Sequence, residues 1–117
     1  MTVLFIGYPK CTTCIKAYKA LQELGIEAEY RHIKENNPTK EEIQSWMDKG
    51  VDLNKLWNTS GQVYRQLNLK EKRKTMSQQE AIELLASDGM LVKRPIVIQD
   101  DLIIIGNKTA EYVNLKR

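Results

Sequence analysis

Val3-Leu4-Phe5-Ile6-Gly7-Tyr8-Pro9-Lys10-Cys11-Thr12-Thr13-Cys14 decides how this chain is read. Val3 to Tyr8 is an apolar run of strand length, Pro9 marks its exit, and an amphipathic helical pattern opens at about Cys11. Both cysteines of the protein therefore lie where a strand hands over to a helix, a placement that turns a common tetrapeptide into a redox reading. A thiol at a helix N-terminus sits among unpaired backbone N–H groups and the positive end of the macrodipole, and both favour its thiolate. Cys11 is the candidate nucleophile, with Lys10 beside it. Cys14 falls about one turn further along the same face, where it is placed to attack a mixed disulfide formed on Cys11. A bond between the two closes only a tiny loop, so it adds little to global stability and is better explained as reversible chemistry than as a staple.

Working outward, the helix is expected from Cys11 to Leu24, with Cys14, Ala17, Leu21 and Leu24 inward and Lys16, Lys19 and Glu23 outward, stopped by Gly25. Glu27 to Ile33 reads as a second strand, which makes a β-α-β unit with a parallel strand pair. From about residue 36 to 89 the pattern changes to short helices separated by turns. Thr39 with Glu42 and Ser77 with Glu80 are capping signatures, Ile43, Trp46 and Met47 form one apolar face, and Gly50 and Gly89 are terminators. Trp46 and Trp57 are expected to pack inside this insertion. After Arg94-Pro95, the runs Ile96-Val97-Ile98 and Leu102-Ile103-Ile104-Ile105 flank a short polar turn and read as an antiparallel hairpin, and Thr109 to Leu115 reads as a closing helix. The expectation is one α/β domain over residues 1–117: a four-stranded mixed sheet flanked by helices, with the helical insertion between the second and third strands.

Composition narrows the function classes. The 117 residues carry Lys+Arg 18 against Asp+Glu 15, a net charge of +3 that is too mild to imply direct nucleic-acid binding. The densest basic run, Lys70-Glu71-Lys72-Arg73-Lys74, reads as a solvated connector. No charged leader with a long apolar segment and no run of spanning length is present, so a cytoplasmic protein without membrane attachment is expected. A zinc site on Cys11 and Cys14 lacks a second ligand pair, His32 reads as a half-exposed strand-end residue, and no Gly-rich phosphate loop occurs; no metal and no nucleotide cofactor are expected.

Cys11-x-x-Cys14 after the first strand, Asn58-Thr59-Ser60-Gly61 followed by Tyr64-Arg65-x-Leu67-Asn68, and Arg94-Pro95-Ile96 opening the hairpin together resemble the arsenate reductase/Spx-like (ArsC) family of thioredoxin-fold proteins. The resemblance spans essentially the whole chain and is nearest to the two-cysteine Spx/MgsR-like members. It implies a thioredoxin-like fold, a cis peptide bond before Pro95, and an arginine, Arg94, that faces the reactive thiol and holds an oxyanion or stabilises a thiolate. The chain also departs from the single-cysteine arsenate reductases. Cys14 stands where they typically have serine, and two further arginines that they use correspond here to Asn58 and to Gly106 or Asn107.

The leading expectation is a thiol-disulfide oxidoreductase. Cys11, Cys14 and Arg94 would be catalytic, with a redox-active disulfide between Cys11 and Cys14, and Lys10, Thr12, Thr13, Asn58, Ser60 and Pro95 would bind a disulfide or small oxyanion substrate. No bound cofactor is needed, but an external thiol reductant such as thioredoxin, or glutaredoxin with glutathione, must restore the dithiol. The alternative that the resemblance implies is a redox-sensing transcriptional regulator that binds the RNA polymerase α C-terminal domain near Gly50, although the turn at Asn58 lacks the arginine that Spx has there. Arsenate reduction ranks third, because a multiply charged oxyanion would meet a pocket short of cations.

Overall fold

A computed structural model describes residues 2–117. Its elements follow the order β1 (Val3–Gly7), α1 (Thr12–Glu23), β2 (Ala28–His32), α2 (Lys40–Asp48), α3 (Gln62–Gln66), α4 (Leu69–Lys72), α5 (Gln78–Ser87), β3 (Ile96–Gln99) and β4 (Leu102–Ile105), with 3-10 turns at Leu53–Leu56, Gly89–Leu91 and Thr109–Asn114. The chain divides into two compact units: Lys34–Lys93 forms one, and the segments through Ile33 and from Arg94 onward form the other. The insertion is thus slightly longer than the expected 36–89.

In the sheet-bearing unit the strands lie in the order β2-β1-β3-β4. β1 pairs parallel with β2 and antiparallel with β3, and β3 pairs antiparallel with β4, which makes the four-stranded mixed sheet anticipated above. β1 is central, and this explains its uninterrupted apolar run: Val3, Phe5 and Ile6 are fully buried although successive side chains point to opposite faces. The β3–β4 connection is two residues long, Gln99 opposing Leu102, and Asp100 takes the left-handed φ of 54° that so tight a turn requires. Gln99 is buried but satisfied, since its amide donates to the Lys116 carbonyl at 2.7 Å and accepts from the Lys116 N–H at 2.8 Å, which ties the C-terminal segment to the sheet.

Helix α1 packs Cys14, Ala17 and Leu21 into a cluster with Val3, Phe5, Val97, Ile104 and Tyr112. The expected fourth member, Leu24, is instead 37 % exposed. The helix has ended by then: Gly25, at φ 73°, lets the Gly25 and Ile26 N–H groups close back on the Gln22 and Leu21 carbonyls, each at 3.0 Å, and this turn puts Ile26 in the inward place meant for Leu24. The closing segment also differs from expectation, being a 3-10 helix that ends at Asn114.

The Lys34–Lys93 unit contains the anticipated caps. Thr39 and Glu42 form a reciprocal capping box, with the Glu42 N–H donating to Thr39 Oγ1 at 3.1 Å and the Thr39 N–H donating to Glu42 Oε1 at 2.9 Å. Ser77 caps α5 from its side chain, accepting from the Glu80 N–H at 3.1 Å. Gly89 is not a left-handed terminator; Asp88 ends α5 and caps the Gly89–Leu91 turn by accepting from the Met90 N–H. Trp46 and Trp57 are both buried. The basic run is not a uniformly solvated connector: residues 69–72 form α4, and the Arg73 guanidinium lies 5.2 Å from the Trp57 ring centre while donating to Tyr64 Oη at 3.0 Å and Asn54 Oδ1 at 3.3 Å. Stacking and two hydrogen bonds fix one end of the run, whereas Lys74 stays exposed in an ion pair with Glu71.

One glycine is required by packing rather than by φ. A Cβ on Gly7 would lie 2.5 Å from Phe5 Cε1 and 3.1 Å from the Tyr30 hydroxyl, and the Phe5 ring is fully buried with little room to yield. Gly7→Ala is therefore predicted to lower stability by about 1–3 kcal/mol, the usual cost of overpacking a core. Urea unfolding followed by circular dichroism checks it, and a variant as stable as the native protein would show that the close approach is not limiting.

Candidate dithiol site

The site is made by the turn that connects β1 to α1. The Cys11 N–H donates to the Tyr8 carbonyl at 2.9 Å and the Ile15 N–H donates to the Cys11 carbonyl at 3.0 Å, so Cys11 ends the turn and begins the helix. It occupies the N-cap position with φ −91° and ψ 119°. Most N-caps carry a side-chain oxygen there; here a thiol, a weaker acceptor, stands in that place and faces the orphan N–H groups of the first turn, that of Cys14 among them. Cys11 is half-buried, whereas Cys14 is fully buried in the α1 cluster. Both are free thiols, and the Tyr8 N–H donates to Cys14 Sγ at 3.4 Å.

Arg94 reaches this turn from the start of β3. The Arg94–Pro95 peptide bond is cis, and the Pro95 carbonyl accepts from the Gly106 N–H at 2.8 Å. The guanidinium carbon lies 5.3 Å from the centre of the Tyr8 ring. A hydrogen bond and the charge of Arg94 both act on Cys11, while its Nε and Nη1 are buried with no hydrogen-bond partner among the described residues. A guanidinium has five N–H donors in a rigid fork, so two unspent buried donors beside a thiol leave capacity for an anionic atom of a bound molecule.

The electrostatics separate the two sulfurs. Burial by itself pushes the Cys11 thiol up, but the Cys14 N–H, the Cys14 thiol and the Arg94 guanidinium, by hydrogen bond and by charge, outweigh it and hold Cys11 below its ordinary value. Cys14 moves the other way, to about 12: burial is the main cause, the hydrogen bond and charge of Cys11 add to it, and the Tyr8 N–H and Arg94 offset only part. Tyrosines border the pair. Tyr30 is pushed up to about 12 by burial, then by Cys14, Cys11 and Tyr18, and Tyr112, whose buried hydroxyl has no hydrogen-bond partner among the described residues, is pushed up to about 12 by burial and Cys14.

Cys11, Cys14, Arg94 and Pro95, all singled out in the sequence, belong to this unit. Lys10 and Thr12 are exposed on the same turn and Thr13 is half-buried. Lys10 is not among the groups that shift Cys11, so the acidity expected from it comes from Arg94 and the helix start. Asn58 and Ser60 belong to the Lys34–Lys93 unit, where the Asn58 amide donates to the Met90 carbonyl at 3.3 Å and the Asn58 N–H to the Leu91 carbonyl at 2.8 Å. His32 ends β2, half-buried, with its ring edge-on to Tyr8 at 5.5 Å. Sequence reasoning missed Tyr8 and Tyr30; the only signal for Tyr8 was its place just before Pro9. Among the described residues no group of three or more His, Cys, Asp or Glu side chains is arranged to hold a metal ion, and no helix is long and apolar enough to cross a membrane.

The comparisons with known proteins bear on the family and the fold. The ArsC family model matches residues 6–115. The chain is 50 % identical over 113 residues, covering 96 % of each chain, to the uncharacterized protein YusI of Bacillus subtilis, and 32 % identical over 116 residues to the regulatory protein MgsR of the same organism, covering 97 % of this chain and 89 % of MgsR. A crystal structure of an ArsC family related protein from Bacteroides fragilis superposes with a TM-score of 0.94 at 45 % identity, over 99 % of this chain and 98 % of that one. The four-stranded mixed sheet with its flanking helices is accordingly thioredoxin-like, and with a family match over nearly its full length the chain belongs to the ArsC family.

Proposed function

We propose that this protein is a thiol-disulfide oxidoreductase in which Cys11 attacks and Cys14 resolves. The observation that supports the reading is the opposed shift of two sulfurs one helical turn apart, with Cys11 held low and Cys14 held at about 12. The Cys11 thiolate attacks one sulfur of a substrate disulfide, forming a Cys11–substrate mixed disulfide and releasing the other half as a thiolate, which takes up a proton. Cys14 then gives up its proton and attacks the Cys11 sulfur. The second half of the substrate leaves as a thiolate, and the dithiol has supplied two electrons as the Cys11–Cys14 disulfide closes.

A thiol near 12 is a poor nucleophile, and the first step itself removes part of the cause. Once Cys11 is in a mixed disulfide it carries no charge and donates or accepts no thiol hydrogen bond, so both contributions of Cys11 to the Cys14 shift vanish. The Tyr8 N–H and Arg94 remain to favour the Cys14 thiolate. Arg94 serves as the anion-stabilising group, with its unpartnered Nε and Nη1 as donors to the substrate. An external thiol reductant of the thioredoxin or glutaredoxin/glutathione type, in a reducing cytoplasm, restores the dithiol.

A second reading is favoured by the 32 % identity to a regulatory protein: the same dithiol would act as a redox switch, with the RNA polymerase α C-terminal domain as the partner. Arsenate reduction remains third, because among the described residues Arg94 is the one cation that acts on Cys11.

Cys14→Ser is predicted to trap a mixed disulfide on Cys11 when treated with glutathione disulfide, while the native protein goes on to the intramolecular disulfide and turns over a small disulfide when coupled to a thiol reductant. Mass spectrometry and coupled kinetics check this. Absence of both species would overturn the oxidoreductase reading, and saturable arsenate turnover dependent on Arg94 would reverse the ranking. Arg94→Ala removes a group that favours the charged form of Cys11, so its thiolate fraction near neutral pH must fall. The iodoacetamide rate profile of Cys11 should move to higher pH, toward the unperturbed value of ~8.5; an unmoved profile would show that Arg94 does not act on the thiol.

A further inference from the structure

On the side of α1 that faces β2, a cavity of about 580 Å³ is lined by Pro9, Cys14, Ile15, Tyr18 and Tyr30 together with Lys19 and Gln22. Neither Cys11 nor Arg94 lines it, so it is distinct from the approach to the nucleophile. Three features mark it as built. Its aromatic wall is braced: Tyr18 and Tyr30 meet edge-on at 5.3 Å, and Phe5 stands 5.2 Å from Tyr18 and 5.1 Å from Tyr30. Gly7 provides the space for that arrangement, since a Cβ there would crowd Phe5 and the Tyr30 hydroxyl. Apolar surface is also left open in it, with Ile15 56 % and Tyr30 38 % exposed, while the fully buried Cys14 contributes the floor.

The volume falls within the range of small-molecule sites, and a mostly apolar lining with few polar groups is their usual chemistry. Lys19 is the only charged side chain in the lining, exposed and with no acidic partner among the described residues. A second copy of this chain seated on α1 would bring Lys19 toward Lys19 about a two-fold axis, which disfavours self-association through this face. We propose that the cavity is a binding site for a small apolar anion, a flat hydrophobic body that lies between Ile15 and the Tyr18–Tyr30 wall and carries one acidic group toward Lys19. Cys14 is among the lining residues, so the site adjoins the buried resolving thiol.

The test uses the full-length, reduced and isotope-labelled protein, titrated with anilinonaphthalene sulfonate and, separately, with phenylnaphthylamine, the same ring system without the anion. Binding is read from backbone NMR shifts, so it requires no disulfide exchange and stays separable from the proposed function. The sulfonate should give saturable shifts centred on residues 14–19 and Tyr30. Lys19→Glu should weaken the sulfonate about fivefold and leave the neutral compound nearly unaffected. Ile15→Gln, an uncharged change at an exposed position, should weaken both about tenfold. Circular dichroism verifies that each variant is folded. Shifts centred elsewhere, no saturation, equal sulfonate affinity in Lys19→Glu, or the same shifts arising from protein concentration alone would each overturn the proposal.

Discussion

Cys14 is packed in the same cluster as Val3, Phe5, Ala17, Leu21 and Tyr112, so the helix cannot bury its inner face without placing this thiol in the core beneath the β1–α1 turn. Everything at the site follows from that constraint. With Cys14 fixed one turn inward, Cys11 stands at the N-cap, half-buried, where the first-turn N–H groups face its sulfur. The Tyr8 N–H, on the turn itself, is committed to the buried sulfur. Helix geometry alone supplies a pair of unequal thiols, one in the core and one at its edge.

Arg94 amplifies the inequality. It reaches the site from β3, which is possible because β3 lies directly beside β1, and its charge acts on both sulfurs but through a hydrogen bond only on Cys11. The same guanidinium is held over the Tyr8 ring, and two of its nitrogens are buried without a hydrogen-bond partner among the described residues. A buried donor paired by neither protein nor water costs about 1–3 kcal/mol, so an anionic group placed against these two nitrogens is stabilised there.

Features encoded by local pattern were legible in the sequence. The apolar run of β1, the stop at Gly25, the Thr39–Glu42 capping box and the hairpin around a short polar turn each depend on residues within a few positions of one another, although Gln99, read as part of that turn, proves to be the last residue of β3. Non-local features were not legible. Nothing in the pattern showed that β3 would lie beside β1, that Arg73 would fold onto Trp57, or that Ile26 would take the inward place of Leu24 after the turn. At the site, Cys11 and Cys14 were readable from their spacing and from the strand before them. The approach of Arg94, more than eighty positions away, rested on the family resemblance alone. Tyr8 and Tyr30 went unnoticed because an aromatic beside a sulfur has no sequence signature.

The central claim is that one fold position makes Cys11 acidic and the other keeps Cys14 protonated while both thiols are reduced. NMR titration of the two cysteine Cβ shifts in the reduced native protein, across about pH 4 to 11, measures both groups separately. Cys11 should titrate clearly below the ordinary thiol value while Cys14 stays protonated to the top of the range, its value being near 12. Titration of Cys14 first, or of both thiols together near the ordinary value, would contradict the account.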